Sequence, residues 1–246
     1  MSDILRQMQQ EAKDLSNQKR PLFYDHYQQE LRYSKELFFG NSLILRCRED
    51  VIPFLNDDFG HGVEHSKKVA IESGAIVLGE TSGWGLTQAR HLSVLAQLAG
   101  LMHDICRLQG DHARQGAELS YTILADYPLS SADREMIAFA IANHEAFKTV
   151  QKSPDPSTDT LGGALYDADK FRWGPDNFVT TLWEICDYLE WPLEKIKARF
   201  PGGLGFVRSI SDTFRTRIGR IYGPEFIDIG LELGGYIYRR LDQENR

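Results

Sequence analysis

Residues 87–104 read TQARHLSVLAQLAGLMHD. Leu95, Ala99 and His103 stand four apart, the spacing of one helix face, and the segment is rich in Leu and Ala. A helix is therefore expected over about 87–103, delivering His103 and Asp104 at its end. The same period continues outward on both sides. Upstream it predicts helices at about 3–19 and 22–39, parted at Pro21, then at 41–55 and 62–79, the last two separated by the turn 56–60. Three glycines between Gly79 and Gly85 read as a loop. Downstream a helix over 111–126 stops before Pro128, and Ser130 to Asp133 form an N-cap region for a helix over 131–147. The polar, proline-containing stretch 151–159 reads as a loop, followed by helices at about 160–171, 175–189, 192–199, 203–219 and 223–242. No segment alternates with period two, so the fold class is all-α.

The 246 residues suit one core with extensions. Hydrophobic and charged shares of 42% and 26% are those of a globular chain. A formal charge of −7 argues against a long nucleic acid or an anionic membrane as partner, since both want a basic face. A small anion stays possible, because a local metal or arginine outweighs the global sign. Cys47, Cys106 and Cys186 are odd in number and form no CxxC, which fits a reducing cytoplasm. The polar start is neither a signal peptide nor an anchor, and no apolar run approaches the roughly 20 residues of a membrane span.

Four of the seven histidines fall on apolar stripes. His65 heads one through Val69 and Ile76. His103 ends one through Leu95 and Ala99. His112 begins one through Gly116, Leu119 and Ile123, and His144 ends one through Ile137 and Ile141. Each imidazole should face the bundle interior. A single inward histidine is most simply a core residue satisfied by a backbone carbonyl. Four of them, with Asp104 directly after one, point instead to a bound cation, which a buried carboxylate needs as partner. No phosphate loop ending in GK[ST], no GxSxG and no HExxH is present.

The pattern H…HD…D, with its first histidine at the start of an EHSxxVA helix, resembles the HD superfamily of metal-dependent phosphohydrolases. The matching positions are His65, His103, Asp104 and Asp169, over roughly residues 55–175. The resemblance implies an HD-type helical bundle across 1–246, with an N-terminal extension over 1–50 and C-terminal helices over 176–246. It also implies one or two divalent ions, among Mn, Fe, Co, Ni, Zn or Mg. His112 in HARQGAEL and His144 in IANHE are similar to the elements that hold a second metal in part of that superfamily. His112 follows Asp104 by only eight residues, closer than usual; a short interhelical link accounts for it. A one-metal site, in which His112 and His144 grip phosphate, stays open.

Asp167 and Asp169 point about 200° apart on a helix. Asp169 is preferred as ligand because its ADK context resembles the superfamily's, leaving Asp167 to cap or pair. Arg107, Lys170 and Arg172 stand beside proposed ligands and can grip phosphate or form ion pairs; Arg107 and Lys170 are preferred for catalysis, alongside Asp104. His61 is either a substrate contact or a turn residue, and His26 and His91 carry no pattern. Phe171 and Trp173 wall a base-sized pocket or pack in the core, packing being preferred. The resemblance implies hydrolysis of a phosphomonoester or phosphoanhydride, a nucleotide being the first expectation. A di-iron oxygenase and a nucleotide-binding sensor without turnover are the alternatives. Aromatic stretches at 37–39 and 236–238 leave a homodimer open, with packing preferred.

Overall fold

Leucine and alanine stripes at three- and four-residue spacing leave helix as the way to bury one face. The computed structural model describes residues 2–55 and 62–244. It is 76% helix, with no strand among the described residues. The helices are α1 (Asp3–Ser16), α2 (Phe23–His26), α3 (Gln28–Gly40), α4 (Ser42–Val51), α5 (Val63–Glu80) and α6 (Leu86–Met102). They continue as α7 (His112–Ile123), α8 (Ser131–Ala142), α9 (Pro156–Phe171), α10 (Leu182–Tyr188), α11 (Leu193–Ser209) and α12 (Arg217–Glu244). None is long and apolar enough to cross a membrane. The turn 56–60 and His61 lie outside the described residues.

Small side chains bring α5 and α6 together at the centre. A Cβ on Gly100 would stand 2.6 Å from the Ala70 Cα, so the two backbones touch where only glycine fits. Across the same seam the Ser93 hydroxyl donates to the Gly74 carbonyl, and that of Ser73 to Ala96, each at 3.1 Å. α9 lies beside this pair, with every residue from Leu161 to Phe171 buried. α7 and α8 pack as a second pair, and α8 leans on α6 and α9. The two ends of the chain meet: Tyr236 and Arg240 of α12 both donate to Glu11 of α1, at 2.9 and 3.1 Å.

Several boundaries differ from the sequence expectation, for physical reasons. α9 starts at Pro156 rather than near 160, because Asp155 caps it through the Thr158 N–H and Pro156 takes the first helical position. The expected break between 199 and 203 is absent. Ile196, Phe200 and Val207 form one buried stripe, and this packing carries α11 through Pro201. The break falls instead at 210–216, and α12 runs through Pro224. The expected helix 175–189 divides into a π-helical turn, Asn177–Thr181, and α10. α8 ends at Ala142, not 147, so His144 sits just beyond a helix rather than on one.

Candidate metal centre

Five segments deliver the cluster. His65 stands in the first turn of α5, His103 caps the end of α6, and Asp104 follows in the turn. His112 opens α7 after Asp111, whose φ of 58° lets the chain reverse within the short link from Asp104. His144 follows α8, and Asp169 lies in the last turn of α9. The four imidazoles form a row, His65–His103–His144–His112, with ring centroids 5.1, 5.1 and 5.2 Å apart.

The donor atoms fall into two groups, His65, His103 and Asp169, and Asp104, His112 and His144. Asp104 faces both. Its Oδ2 lies 3.3 Å from His103 Nε2 and 3.8 Å from His65 Nε2, while its Oδ1 lies 3.6 Å from His144 Nε2 and 3.8 Å from His112 Nε2. In the first group His65 Nε2 is 3.1 Å from His103 Nε2 and 3.4 Å from Asp169 Oδ1. Two donors each about 2.1 Å from one ion stand about 3.0 Å apart at a right angle and about 3.4 Å apart at the tetrahedral angle. The separations fall at or slightly above that range. The cluster can hold a metal ion.

The outer ring nitrogens support the same use. His103 Nδ1 donates to the Gly100 carbonyl at 2.8 Å, and His144 Nδ1 to that of Ile141 at 2.6 Å. His112 Nδ1 lies 3.2 Å from the Glu145 carboxylate. With the proton held on Nδ1, each Nε2 presents a lone pair to the cluster, the tautomer a metal ligand needs. Burial, aided by the His103 neighbour, pushes His65 down to about 4 despite the nearby carboxylates. Burial works against charge on His103 too, but Asp104 and Asp169 hold its pKa up. Burial and the neighbouring His144 push His112 down. Burial alone would raise Asp169; Lys170 and the two imidazoles outweigh it and keep the carboxylate ionised.

Comparison of the chain with models of protein families, with curated proteins and with solved structures finds no match. The reading of the site therefore rests on its own side chains.

The structure brings His65, His103, Asp104, His112, His144 and Asp169 together and places the other candidates around them. Arg107 is exposed at the edge, its guanidinium 3.4 Å from His112 Nε2 and 3.8 Å from Asp104 Oδ1. Lys170 is buried, paired with the second oxygen of Asp169 and lying over the Tyr166 ring. Arg172 turns away into a buried network with Glu72, Asp176 and Tyr24. Asp167 is remote in function: its two oxygens accept from the Arg215 and Thr216 N–H groups, both at 2.8 Å, ahead of α12. Phe171 stacks on Phe226 in the core, whereas Trp173 lines a cavity beside the cluster. His26 pairs with Tyr222, and His91 with Asp133, both away from the cluster. Glu145 was not foreseen as a partner of His112; its only sequence signal is adjacency to His144.

Proposed function

We propose that the protein is a metal-dependent phosphohydrolase of the HD type, cleaving a phosphomonoester or phosphoanhydride, with nucleotides the first substrates to try. The observation that carries the reading is the bridging position of Asp104, one oxygen turned to each histidine group. A divalent ion bound there supplies Lewis-acid polarisation of a phosphoryl oxygen and brings the pKa of water towards neutrality.

The protein's own groups do the rest. Asp104 holds the two donor groups in one frame. Lys170 fixes one oxygen of Asp169 so that the other faces His65. Arg107, at the edge of the cluster, sets a permanent positive charge where phosphoryl charge develops. Burial of His65, His103 and Asp169 keeps water from competing with these contacts.

The test is phosphate release from a panel of nucleotides and phosphate esters with Mn, Fe, Co, Ni, Zn or Mg, comparing the protein with Asp104→Ala. Metal-dependent release that the variant loses is the expected result. A folded, metal-loaded protein that releases no phosphate but consumes dioxygen when it holds iron would replace hydrolysis by the oxidative reading. Tight nucleotide binding with no turnover of either kind would favour a sensor.

A further inference from the structure

A cavity of about 880 Å³ opens directly from the cluster. His65, Asp169 and Arg107 form part of its wall, and most of the remainder is apolar, including Phe178, Leu182, Ile185, Trp191, Phe200 and Leu204. The size is that of a cleft enclosing a ligand well beyond a bare phosphate. Of the charged groups further along, four are held in ion pairs, Arg199 lies over the Trp191 ring, and Glu184 also lines the wall. Lys68 pairs with Asp176 at 2.9 Å, Arg172 with Glu72 at 2.6 Å, and Glu64 with Lys67 at 3.0 Å. The uncharged polar side chains Asn177, Thr180 and Thr181 all come from the single π-helical turn.

Trp173 and Phe206 also line the cavity and meet edge to face, 5.2 Å between centroids. Phe147 stands against Phe206 at 5.3 Å. Phe206 and Phe147 are 51% and 54% exposed, and Phe147 holds a left-handed φ of 62° that a bulky side chain rarely adopts. Large exposed rings beside an apolar cavity offer surface for an apolar ligand.

We infer that the substrate is an organophosphate with a large apolar body, an alkyl or aryl phosphate whose head meets the histidine–aspartate cluster while the body fills this cavity. The phosphate head rests on the proposed hydrolase reading; the apolar body rests on the cavity alone.

Two ligand series separate these parts: 1-alkanols and alkylphosphonates, each from four to twelve carbons, added to the Mn-loaded protein. Binding is read from the change in intrinsic tryptophan fluorescence, since Trp173 and Trp191 line the cavity. Affinity should rise about threefold to fourfold per methylene in both series until the cavity is full, with the phosphonates tighter at every length. Phe206→Asp and Leu182→Asp, on different elements, should each weaken decylphosphonate at least tenfold while bound Mn stays unchanged, which shows that the variants fold. Affinity independent of chain length, or AMP binding more tightly than decylphosphonate, would overturn the inference. A rising series in which phosphonates gain nothing over alkanols would uphold the apolar occupant and sink the phosphate head, and with it the hydrolase reading.

Discussion

The two halves of the cluster share Asp104 but are built differently. His65, His103 and Asp169 come from regular helices or their caps, are buried, and have the second oxygen of Asp169 tied to Lys170. His112 and His144 stand where helices begin or have just ended. His112 retains 15% exposure, and the Arg107 guanidinium faces the same donor atoms that a cation would. The first group, with Asp104 Oδ2, offers four protein donors in a dry setting. The second offers three and an open side. A site with its donors fixed in advance binds its ion with less reorganisation, and a site with an open side leaves room for water or substrate. If two ions bind, the buried group is the place for the more firmly held one and the open group the place for one that meets water or substrate.

The largest expected effect is at the shared residue. Asp104→Ala should remove both ions and lower turnover at least about a thousandfold, since metal stabilisation of phosphoryl charge is worth several kcal/mol. Metal analysis and phosphate release check both parts. A variant that keeps two ions would break the bridging role. Next come the single histidines. His65→Ala should lose the tighter ion, whereas His112→Ala should keep it and lose only the weaker, as calorimetric titration with Mn would resolve. Equal losses from the two variants would erase the distinction between the halves.

The basic neighbours sharpen the comparison further. Lys170→Met keeps the buried volume but frees Asp169, and should weaken the first ion by about tenfold to a hundredfold, the usual effect of an outer-shell partner. Arg107→Gln should act in the opposite sense on the second ion. Removing a cation that faces His112 and Asp104 should tighten that ion while raising KM for an anionic substrate. Unchanged affinity for both ions would deny each residue its place in the electrostatics.

The periodicity of the apolar residues was enough for the all-helical fold, and the inward stripes were enough to draw His65, His103 and His112 towards one interior. His144 was on the right stripe for a different reason. The turn after Ala142 continues the rotation of α8 far enough to keep the side chain inward. The commonplace role of a buried histidine, satisfaction by a carbonyl, turned out compatible with ligation, because His103 and His144 use Nδ1 for the carbonyl and leave Nε2 to the cluster. What the sequence hid was long-range. Trp191, Phe200 and Phe206 have no motif, and their meeting with His65 in one cavity depends on α11 passing straight through Pro201. Local proline rules predict a break there, and the buried stripe of Ile196, Phe200 and Val207, on the face turned to the cavity, overrides them.

The two aspartates of α9 give a smaller effect of opposite kind. Asp169→Asn should cost ion binding with little change in fold. Asp167→Ala should leave ion stoichiometry intact and lower stability by about 1–3 kcal/mol, the cost of stranding buried backbone N–H groups. Gly219 supports this division, since a Cβ there would lie 2.0 Å from Asp167 Oδ2. Urea unfolding with and without Mn separates the two outcomes.

The smallest effect lies at the start of α8, the helix that leads to His144. The Ser130 hydroxyl accepts from the Asp133 N–H at 3.1 Å, and the Asp133 carboxylate accepts from the Ser130 N–H at 3.1 Å and sits 2.7 Å from His91. Ser130→Ala should cost about 1 kcal/mol, with ion binding unchanged because the cap stands at the opposite end from the ligand. Burial works to raise the Asp133 pKa, but the hydrogen bonds from His91 and Ser130 outweigh it and hold the carboxylate below its ordinary value. A group depressed on folding stabilises above its unfolded pKa and loses that contribution as pH falls through the folded one. The gap between the protein and Ser130→Ala should therefore be full at neutral pH and narrow below pH of about 4. A gap that stays constant into acid would mean that the serine caps α8 through the Asp133 N–H alone, without help from the carboxylate.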